Sequence, residues 1–290
     1  FLNTEISAVQ LRGFLERHQF DVLIYDVELT NLVEESGFNR VGILSYHSQL
    51  PALNNFLNMN NPVLKNLSRT KMSKLVLQTS GTTGFSKGAA HKPSLFHYLN
   101  PFLAVFEEFE LKERQTAYIA TPIYHGYGLG LFLLFTALGK KVVIRNCFDV
   151  KKACQTIRDH QVEVVTVVPL MLQKMLNQQS QDLVSLKCIA SGGANLSSKL
   201  VKETQNQLGD VLFNLYGTSE AGLNMIATPQ DLRQAPDTIG KKIRGVHLKV
   251  QNKNLKQLPI GEIGQFYISN DWSMRNKKNT WVQTGDLGFF

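Results

Sequence analysis

One segment, Thr79 to Gly88, carries side chains suited to binding a polyphosphate. It reads TSGTTGFSKG and directly follows an apolar run that predicts a strand. Its glycines permit sharp backbone turns that bring N–H groups close to an anion. The remaining donors are the hydroxyls of Thr79, Ser80, Thr82, Thr83 and Ser86 and the charge of Lys87, set between Gly81, Gly84 and Gly88. The pattern predicts a phosphate-binding loop.

The spacing excludes two other nucleotide-binding loops. A Walker A loop reads GxxxxGK[ST], whereas Lys87 follows Ser86 and precedes Gly88. A dinucleotide loop reads GxGxxG, and Gly126, Gly128 and Gly130 do not match its final spacing. We interpret these three glycines as helix-packing positions.

The segment TSGTTGFSKG resembles the phosphate loop of the adenylate-forming superfamily, which includes acyl-CoA synthetases, firefly luciferase and the adenylation domains of peptide synthetases. Ser86 stands where the family usually has Pro, while Lys87 and the glycines are in register. The resemblance implies that Lys87 offsets the charge of the departing pyrophosphate. It also implies that the β- and γ-phosphates of ATP contact Thr79, Ser80, Gly81, Thr82, Thr83 and Gly84.

Three further segments match this family in the expected order. The segment Ser191 to Ala194 (SGGA) is similar to the turn that lines the adenine pocket, which assigns Gly193 and Ala194 to that pocket. Asn214 to Glu220 (NLYGTSE) resembles the aromatic-Gly-x-Thr-Glu motif, and Thr284 to Gly288 (TGDLG) resembles the ribose-binding turn. Four ordered motifs carry the resemblance over most of the chain.

The same resemblance implies individual roles. Tyr216 would stack on adenine, and Asn214 would read the edge of the base. Asp286 would accept hydrogen bonds from the ribose diol. Ser219 would donate to the α-phosphate, and Glu220 would hold Mg²⁺ beside the phosphates. The nucleotide-binding turn is completed by Gly217 and Thr218.

The segment Thr121 to Gly128 (TPIYHGYG) resembles the Pro-x-x-His turn of acyl-CoA synthetases, where the histidine lies near the acyl carboxylate. We therefore assign a catalytic role to His125 and an acyl-pocket position to His125 and Gly128. Amino-acid-activating relatives place an Asp in this neighbourhood, and Asp149 comes too late to serve. An uncharged acyl tail, a medium- or long-chain fatty acid, is the expected substrate. Apolar lining would come from Phe102, Phe106, Phe132 and Phe135, although core packing explains these rings equally well.

Apolar, β-branched runs alternate with helical spacing and so position these motifs. Strands are predicted at Lys74–Ser80, Ala117–Ile123, Lys141–Asn146, Val162–Val168, Leu186–Gly192 and Val211–Gly217. Helices are predicted at Leu95–Phe109, Leu129–Leu138, Val150–His160, Leu170–Gln178 and Ser198–Leu208. Asp149 is expected to be an N-cap, as is Ser197 or Ser198, and Gly209 is expected to be a C-cap.

This alternation predicts an α/β fold with layered parallel sheets flanked by helices. After about Gly245 the pattern changes to a small antiparallel β unit. We assign residues 1–243 to an adenylate-forming core and residues 244–290 to a partial β-barrel-like subdomain. The C-terminal lid domain of the family is expected to be absent, because Phe290 follows Asp286 so closely.

Composition limits the classes of protein that remain. With 31 Lys plus Arg against 23 Asp plus Glu, the net charge is +8, yet the lysines are scattered as doublets typical of a solvated surface. Attraction of an anionic ligand or an acidic membrane surface stays open, so peripheral membrane contact is one alternative. The charge includes no basic run interleaved with aromatics, which argues against nucleic acid as a partner. Three cysteines without CxxC spacing favour a reducing cytoplasm.

The predicted reaction is ATP-dependent activation of a carboxylic acid, with ATP, Mg²⁺ and CoA as cofactors and co-substrates. The acyl-adenylate would then be transferred to the CoA thiol. Two alternatives keep the nucleotide pocket: an acyl-adenylate ligase that loads a carrier-protein thiol, and a nucleotide-binding module without catalysis. The sequence does not indicate an oligomeric state.

Overall fold

The computed structural model describes residues 2, 4–57, 75–79, 87–91, 98–273 and 281–290, and for 56–57, 75–79, 87–91 and 179 it describes the backbone alone. The chain divides into two compact units. One comprises Phe1–Lys74 with Gln78–Gly88, and the other comprises Leu75–Leu77 with Ala89–Phe290. Strands β3 (Leu75–Thr79) and β4 (Lys87–His91) pair with each other.

The first unit is built around two short parallel strands, β1 (Val22–Tyr25) and β2 (Val41–Leu44), with Val22 opposite Val41. Its helices are α1 (Ala8–His18), α2 (Thr30–Glu35) and α3 (Leu53–Leu57). Helix α1 begins with a capping box in which Ser7 and Gln10 exchange hydrogen bonds, and it buries Leu11, Phe14 and Leu15. No prediction had been made for these elements.

The second unit alternates strands with helices. Its strands are β5 (Thr116–Ile119), β6 (Lys141–Ile144), β7 (Val164–Val167), β8 (Cys188–Gly192), β9 (Leu212–Thr218), β10 (Gly222–Ala227), β11 (Lys241–Lys242), β12 (His247–Gln251), β13 (Gly264–Ser269) and β14 (Val282–Gly288). Its helices are α4 (Leu99–Glu108), α5 (Gly126–Ala137), α6 (Val150–His160), α7 (Pro169–Gln179), α8 (Ser198–Leu208) and α9 (Pro229–Gln234).

Among the described residues, seven strands form one sheet in the order β11-β10-β9-β8-β7-β5-β6. Strands β5 to β9 are parallel to their neighbours, which confirms the predicted α/β class. Strand β10 turns back antiparallel to β9, and β11 pairs antiparallel to β10, so the sheet is mixed. A separate antiparallel sheet, β12-β13-β14, forms near the C-terminal end as predicted.

Hydrophobic side chains cover both faces of the central sheet. On one face Val164, Cys188 and Ala190 pack with helices α4 and α5, and on the other Val165 and Ile189 pack with α6, α7 and α8. All four residues of β7 are buried, as its continuous apolar sequence predicted. Burial on both faces makes these parallel strands a rigid support for the loops at their ends.

The predicted caps are confirmed, and they fix helix ends. Asp149 accepts a hydrogen bond from the Lys152 N–H at 2.8 Å, and Ser197 accepts one from the Leu200 N–H at 3.3 Å. Helix α8 ends at Gly209, whose φ of +77° suits glycine. The prediction for α5 was wrong at its start, because the helix begins at Gly126 and includes all three glycines.

The uncharged stretch from Ala117 to Gly139 divides into strand β5, a connecting loop and helix α5. Across the part of the chain that the structure describes, we find no helix with the length and hydropathy needed to cross a bilayer.

The small antiparallel sheet starts at His247, three residues after the predicted boundary at residue 244. Its side chains Ile268 and Val282 belong to the same hydrophobic cluster as Leu215 of the central sheet. The predicted domain boundary between residues 243 and 244 therefore stays a proposal. It does not coincide with the boundary between the two compact units.

Candidate active site

The carboxyl ends of β5, β7, β8 and β9 lie along one edge of the central sheet. Neighbouring strands pair Ile119 with Thr166, Val167 with Ser191, and Gly192 with Leu215. Because the strands are parallel, the loops that follow them emerge at the same edge. Predicted site residues lie in or just after these loops: His125, Gly193, Ala194, Ser219 and Glu220. The topology thus brings together motifs that are far apart in sequence.

The β9–β10 hairpin presents the acidic end of the NLYGTSE motif. Gly217 is required here, because a Cβ at this position would lie 2.3 Å from the Gly222 carbonyl oxygen. Within the turn, the Ala221 N–H donates to Thr218 Oγ1 at 3.0 Å. Ser219 and Glu220 are exposed at the tip, so both side chains are accessible to a ligand.

Tyr216 lies in strand β9, two residues before the strand ends, and connects the two sheets. Its hydroxyl donates to Asp286 Oδ2 at 2.6 Å, across a separation of 70 residues. Its ring meets Phe266 edge to face at a centroid distance of 6.2 Å. Burial and the bond to Asp286 raise the pKa of Tyr216, while the Thr284 side chain lowers it. The phenol is therefore protonated at neutral pH.

Asp286 belongs to a distorted part of strand β14, which corrects the expectation of a turn at Thr284 to Gly288. The register of β13 and β14 shifts here, because Gln265 faces Leu287 but Tyr267 faces Gln283. Three residues of β14 thus oppose Phe266 alone, as in a β-bulge. Gly285 has a φ of +88°, and the Asp286 N–H donates to Thr284 Oγ1 at 3.2 Å. The bulge presents the Asp286 carboxylate toward Tyr216.

The residues predicted for the adenine pocket differ in exposure. Gly193, with a φ of +78°, and Ala194 are exposed directly after β8. Asn214 is only 6% exposed, and its amide donates to the Thr238 carbonyl oxygen at 3.1 Å. One N–H of the Asn214 side-chain amide thus binds the segment that follows α9. The predicted role of Asn214 in recognising the edge of adenine stays a prediction.

His125 and Gly128 mark the start of helix α5. His125 is the exposed N-cap residue, with its ring 4.6 Å from that of Tyr124. Gly128 is buried, and a Cβ there would lie 2.5 Å from the Pro122 carbonyl oxygen, so this glycine permits close packing as predicted. Their assignment to an acyl pocket stays a prediction.

Sequence reasoning missed Tyr127 of this segment. Its hydroxyl donates to the Ala190 carbonyl oxygen at 2.7 Å, and burial raises its pKa well above the usual value. The bond ties the first turn of α5 to the end of β8. An aromatic hydroxyl between two motif residues was the available signal, but the motif drew attention to His125 instead.

Most of the predicted phosphate loop lies outside the described residues, which omit positions 80–86. The backbones of Thr79 and Lys87 lie in β3 and β4. The roles assigned to Thr79, Ser80, Gly81, Thr82, Thr83, Gly84 and Lys87 therefore stay predictions.

A metal ion at Glu220 would need ligands beyond the His, Cys, Asp and Glu side chains that the structure describes. Within the described ranges, no cluster of three or more His, Cys, Asp or Glu side chains could hold a metal. Mg²⁺ typically binds one or two carboxylates together with substrate phosphates and water. The exposed Glu220 carboxylate is compatible with that pattern, and its role as a metal ligand stays a prediction.

Comparison with known proteins follows the same direction. The family described as "AMP-binding enzyme" matches residues 1–276. Luciferin 4-monooxygenase of Photuris pensylvanica is 26% identical over 276 residues, covering 82% of this chain and 48% of the relative. The 2-succinylbenzoate–CoA ligase of Bacillus licheniformis is 28% identical over 228 residues, covering 74% of this chain and 47% of the relative. This chain spans about half the length of these curated relatives.

A solved structure of O-succinylbenzoate coenzyme A synthetase from Bacillus subtilis, in complex with ATP and magnesium ion, has a TM-score of 0.82 to this chain. Its sequence identity is 21%, and the match covers 99% of this chain and 61% of that one. The likeness establishes the fold.

Proposed function

We propose, from the premise that this chain belongs to the AMP-binding enzyme family, that it activates a carboxylic acid with ATP and transfers the acyl group to CoA. The observation that carries the proposal is the hydrogen bond between Tyr216 and Asp286, beside the hairpin that exposes Glu220. It joins the residue predicted for the base to the residue predicted for the sugar. A nucleotide placed there extends its phosphates toward an exposed acid.

The first half of the reaction forms an acyl-adenylate. A carboxylate oxygen of the acid attacks the α-phosphorus, and the bond from that phosphorus to the bridging oxygen of pyrophosphate breaks. In this proposal Ser219 donates a hydrogen bond to the α-phosphate, and Lys87 balances charge on the pyrophosphate. Charge builds on phosphorus oxygens, so catalysis depends on orientation and electrostatic stabilisation.

Mg²⁺ would be held by Glu220 together with phosphate oxygens, and when bound it neutralises charge on the triphosphate. Without a cation, the Glu220 carboxylate would repel a neighbouring phosphate, because both groups carry negative charge. The exposed position of the carboxylate at the hairpin tip supports this assignment.

The acid is proposed to have an uncharged, apolar body, with a medium- or long-chain fatty acid as the specific expectation. The segment from Ala117 to Gly139 contains no charged residue before Lys140. The aromatic residues give less support than expected, because Phe135 is completely buried in the core and Phe102, Phe106 and Phe132 pack against the same cluster. The name of the Bacillus relative makes an aromatic acid the main competitor.

The second half transfers the acyl group to a thiol. The thiolate attacks the acyl carbon, the bond to the AMP oxygen breaks, and AMP leaves. CoA is the proposed acceptor. The first alternative is a ligase that transfers the acyl group to the phosphopantetheine thiol of a carrier protein. The second alternative is a nucleotide-binding module without catalysis.

The decisive assay is ATP–pyrophosphate exchange in the full-length protein, with a panel of fatty and aromatic carboxylic acids. We expect exchange that depends on Mg²⁺ and on one class of acid. Glu220→Gln should lower the exchange rate by about two orders of magnitude, the scale for losing one electrostatic partner of a transition state. Glu262→Gln, at another exposed position, is the matched control.

The same preparation distinguishes the acceptors. Acyl-CoA formed with CoA alone supports the proposal, whereas transfer only to a carrier protein supports the first alternative. ATP binding without pyrophosphate exchange for any acid would support the second alternative, a nucleotide-binding module without catalysis.

A further inference from the structure

The hydroxyl of Tyr216 makes a contact that stacking on a base does not require. A stacked ring presents its face, and a phenylalanine would serve as well. Here the phenol donates to Asp286 Oδ2 at 2.6 Å, between strands β9 and β14. The hydrogen bond from Tyr216 to Asp286 therefore has a role other than binding the adenine base.

Asp286 is exposed, and this hydrogen bond restrains its side chain. The backbone beneath it is fixed by the bulge, through the bond from the Asp286 N–H to Thr284 Oγ1. The carboxylate itself is held by the Tyr216 hydroxyl. An unrestrained exposed side chain would lose rotamer entropy on binding a ligand, and this one has already been ordered.

The bond leaves enough acceptor capacity for a ligand. An ionised carboxylate has about four lone-pair sites on its two oxygens, and Tyr216 takes one of them. Among the described residues no side chain is seen to donate to the other oxygen, Oδ1, so its sites can accept from the two hydroxyls of a ribose. Burial of Tyr216 keeps the phenol in its protonated, donating form.

We infer that the Tyr216 hydroxyl is a positioning group that orients Asp286 for recognition of the nucleotide sugar. The ring of Tyr216 then serves the base, while its hydroxyl acts on the ribose through Asp286. This inference rests on the proposed function, in which a nucleoside triphosphate binds beside Tyr216. Its consequence is specific: loss of the hydroxyl weakens sugar recognition and leaves stacking intact.

The test compares ATP with 2′,3′-dideoxy-ATP by calorimetry, in the presence of Mg²⁺. Tyr216→Phe should weaken ATP binding by about three- to tenfold, the scale of one hydrogen bond, while binding of the dideoxy nucleotide stays unchanged. Tyr267→Phe, which removes a hydroxyl from strand β13, is the matched control and should preserve both affinities.

A second variant covers the case in which Tyr216→Phe does not fold. Thr284→Val keeps the side-chain shape but removes the oxygen that accepts from the Asp286 N–H. We expect the same selective loss for ATP. Equal weakening of both nucleotides, or no change in either, would overturn this inference and leave the proposed function standing. No ATP binding by the unaltered protein would overturn both.

Discussion

Two glycines in the first half of helix α5 should respond in opposite directions to the same substitution. At Gly128, a Cβ would lie 2.5 Å from the Pro122 carbonyl oxygen and 2.9 Å from that of Thr121. At Gly130, a Cβ would meet no atom within 4 Å, so the interpretation of this glycine as a helix-packing position was wrong. The pair therefore separates backbone packing from helix propensity.

The magnitude follows from these distances. For Gly128→Ala, an ordinary contact of about 3.4 Å needs the two backbones to separate by about 0.9 Å. The Pro122 carbonyl oxygen already accepts from the His125 N–H at 3.2 Å, so its displacement weakens that bond. Overpacking of this kind costs about 1–3 kcal/mol. Replacing glycine by alanine within a helix raises the free energy of unfolding by up to about 1 kcal/mol through helix propensity.

Gly130→Ala receives the helix-propensity gain alone, so the two variants should differ in unfolding free energy by about 1–3 kcal/mol. Urea unfolding followed by far-UV circular dichroism measures this difference directly. A Gly128→Ala protein as stable as the Gly130→Ala protein would refute the claim that α5 packs this closely on the loop before it.

Further predictions concern caps, thiols and pH. Asp149→Ala should lower the unfolding free energy by about 1 kcal/mol through loss of the N-cap of α6, while Asp237→Ala, at an exposed position, should not. Of the free thiols in the described residues, Cys147 is exposed and should react quickly with a disulfide reagent at pH 8. Cys154 and Cys188 should react only after unfolding, because both are buried and burial raises the pKa of Cys154 to about 11. Rapid reaction of all three thiols would contradict this burial. Burial also raises the pKa of Tyr118 to about 12, so its contribution to stability should be complete below about pH 10 and be lost as the pH rises toward 12. The urea midpoint of Tyr118→Phe should then fall less steeply over that range, and parallel curves would show that Tyr118 is not the group responsible.

Much of the central sheet could be predicted because its signals are local. Helices α6 and α8 were predicted with the observed ends, since Asp149, Ser197 and Gly209 mark them in the sequence. Strand ends were less accurate: β5 was expected to reach Ile123 but ends at Ile119. Apolar character continues past the hydrogen-bonded ladder, because the loop that follows is itself packed.

The missed features depend on contacts between distant residues. Strand β10 was not predicted, and its pairing with β9 makes the sheet mixed. The start of α5 was misplaced because glycines usually interrupt helices, whereas here Gly128 is needed for close packing. No local pattern indicates that Tyr216 bonds to Asp286, although the family resemblance had assigned both residues to one nucleotide.

A nucleotide bound beside Tyr216 and Asp286 is proposed to place its phosphates, together with Mg²⁺, at Glu220. The most direct measurement is a crystal structure with ATP and Mn²⁺, in which anomalous scattering locates the metal. We predict the metal in contact with a Glu220 carboxylate oxygen and with phosphate oxygens, and the ribose hydroxyls in contact with the Asp286 carboxylate. A metal site away from Glu220, or a ribose that does not contact Asp286, would contradict this proposal.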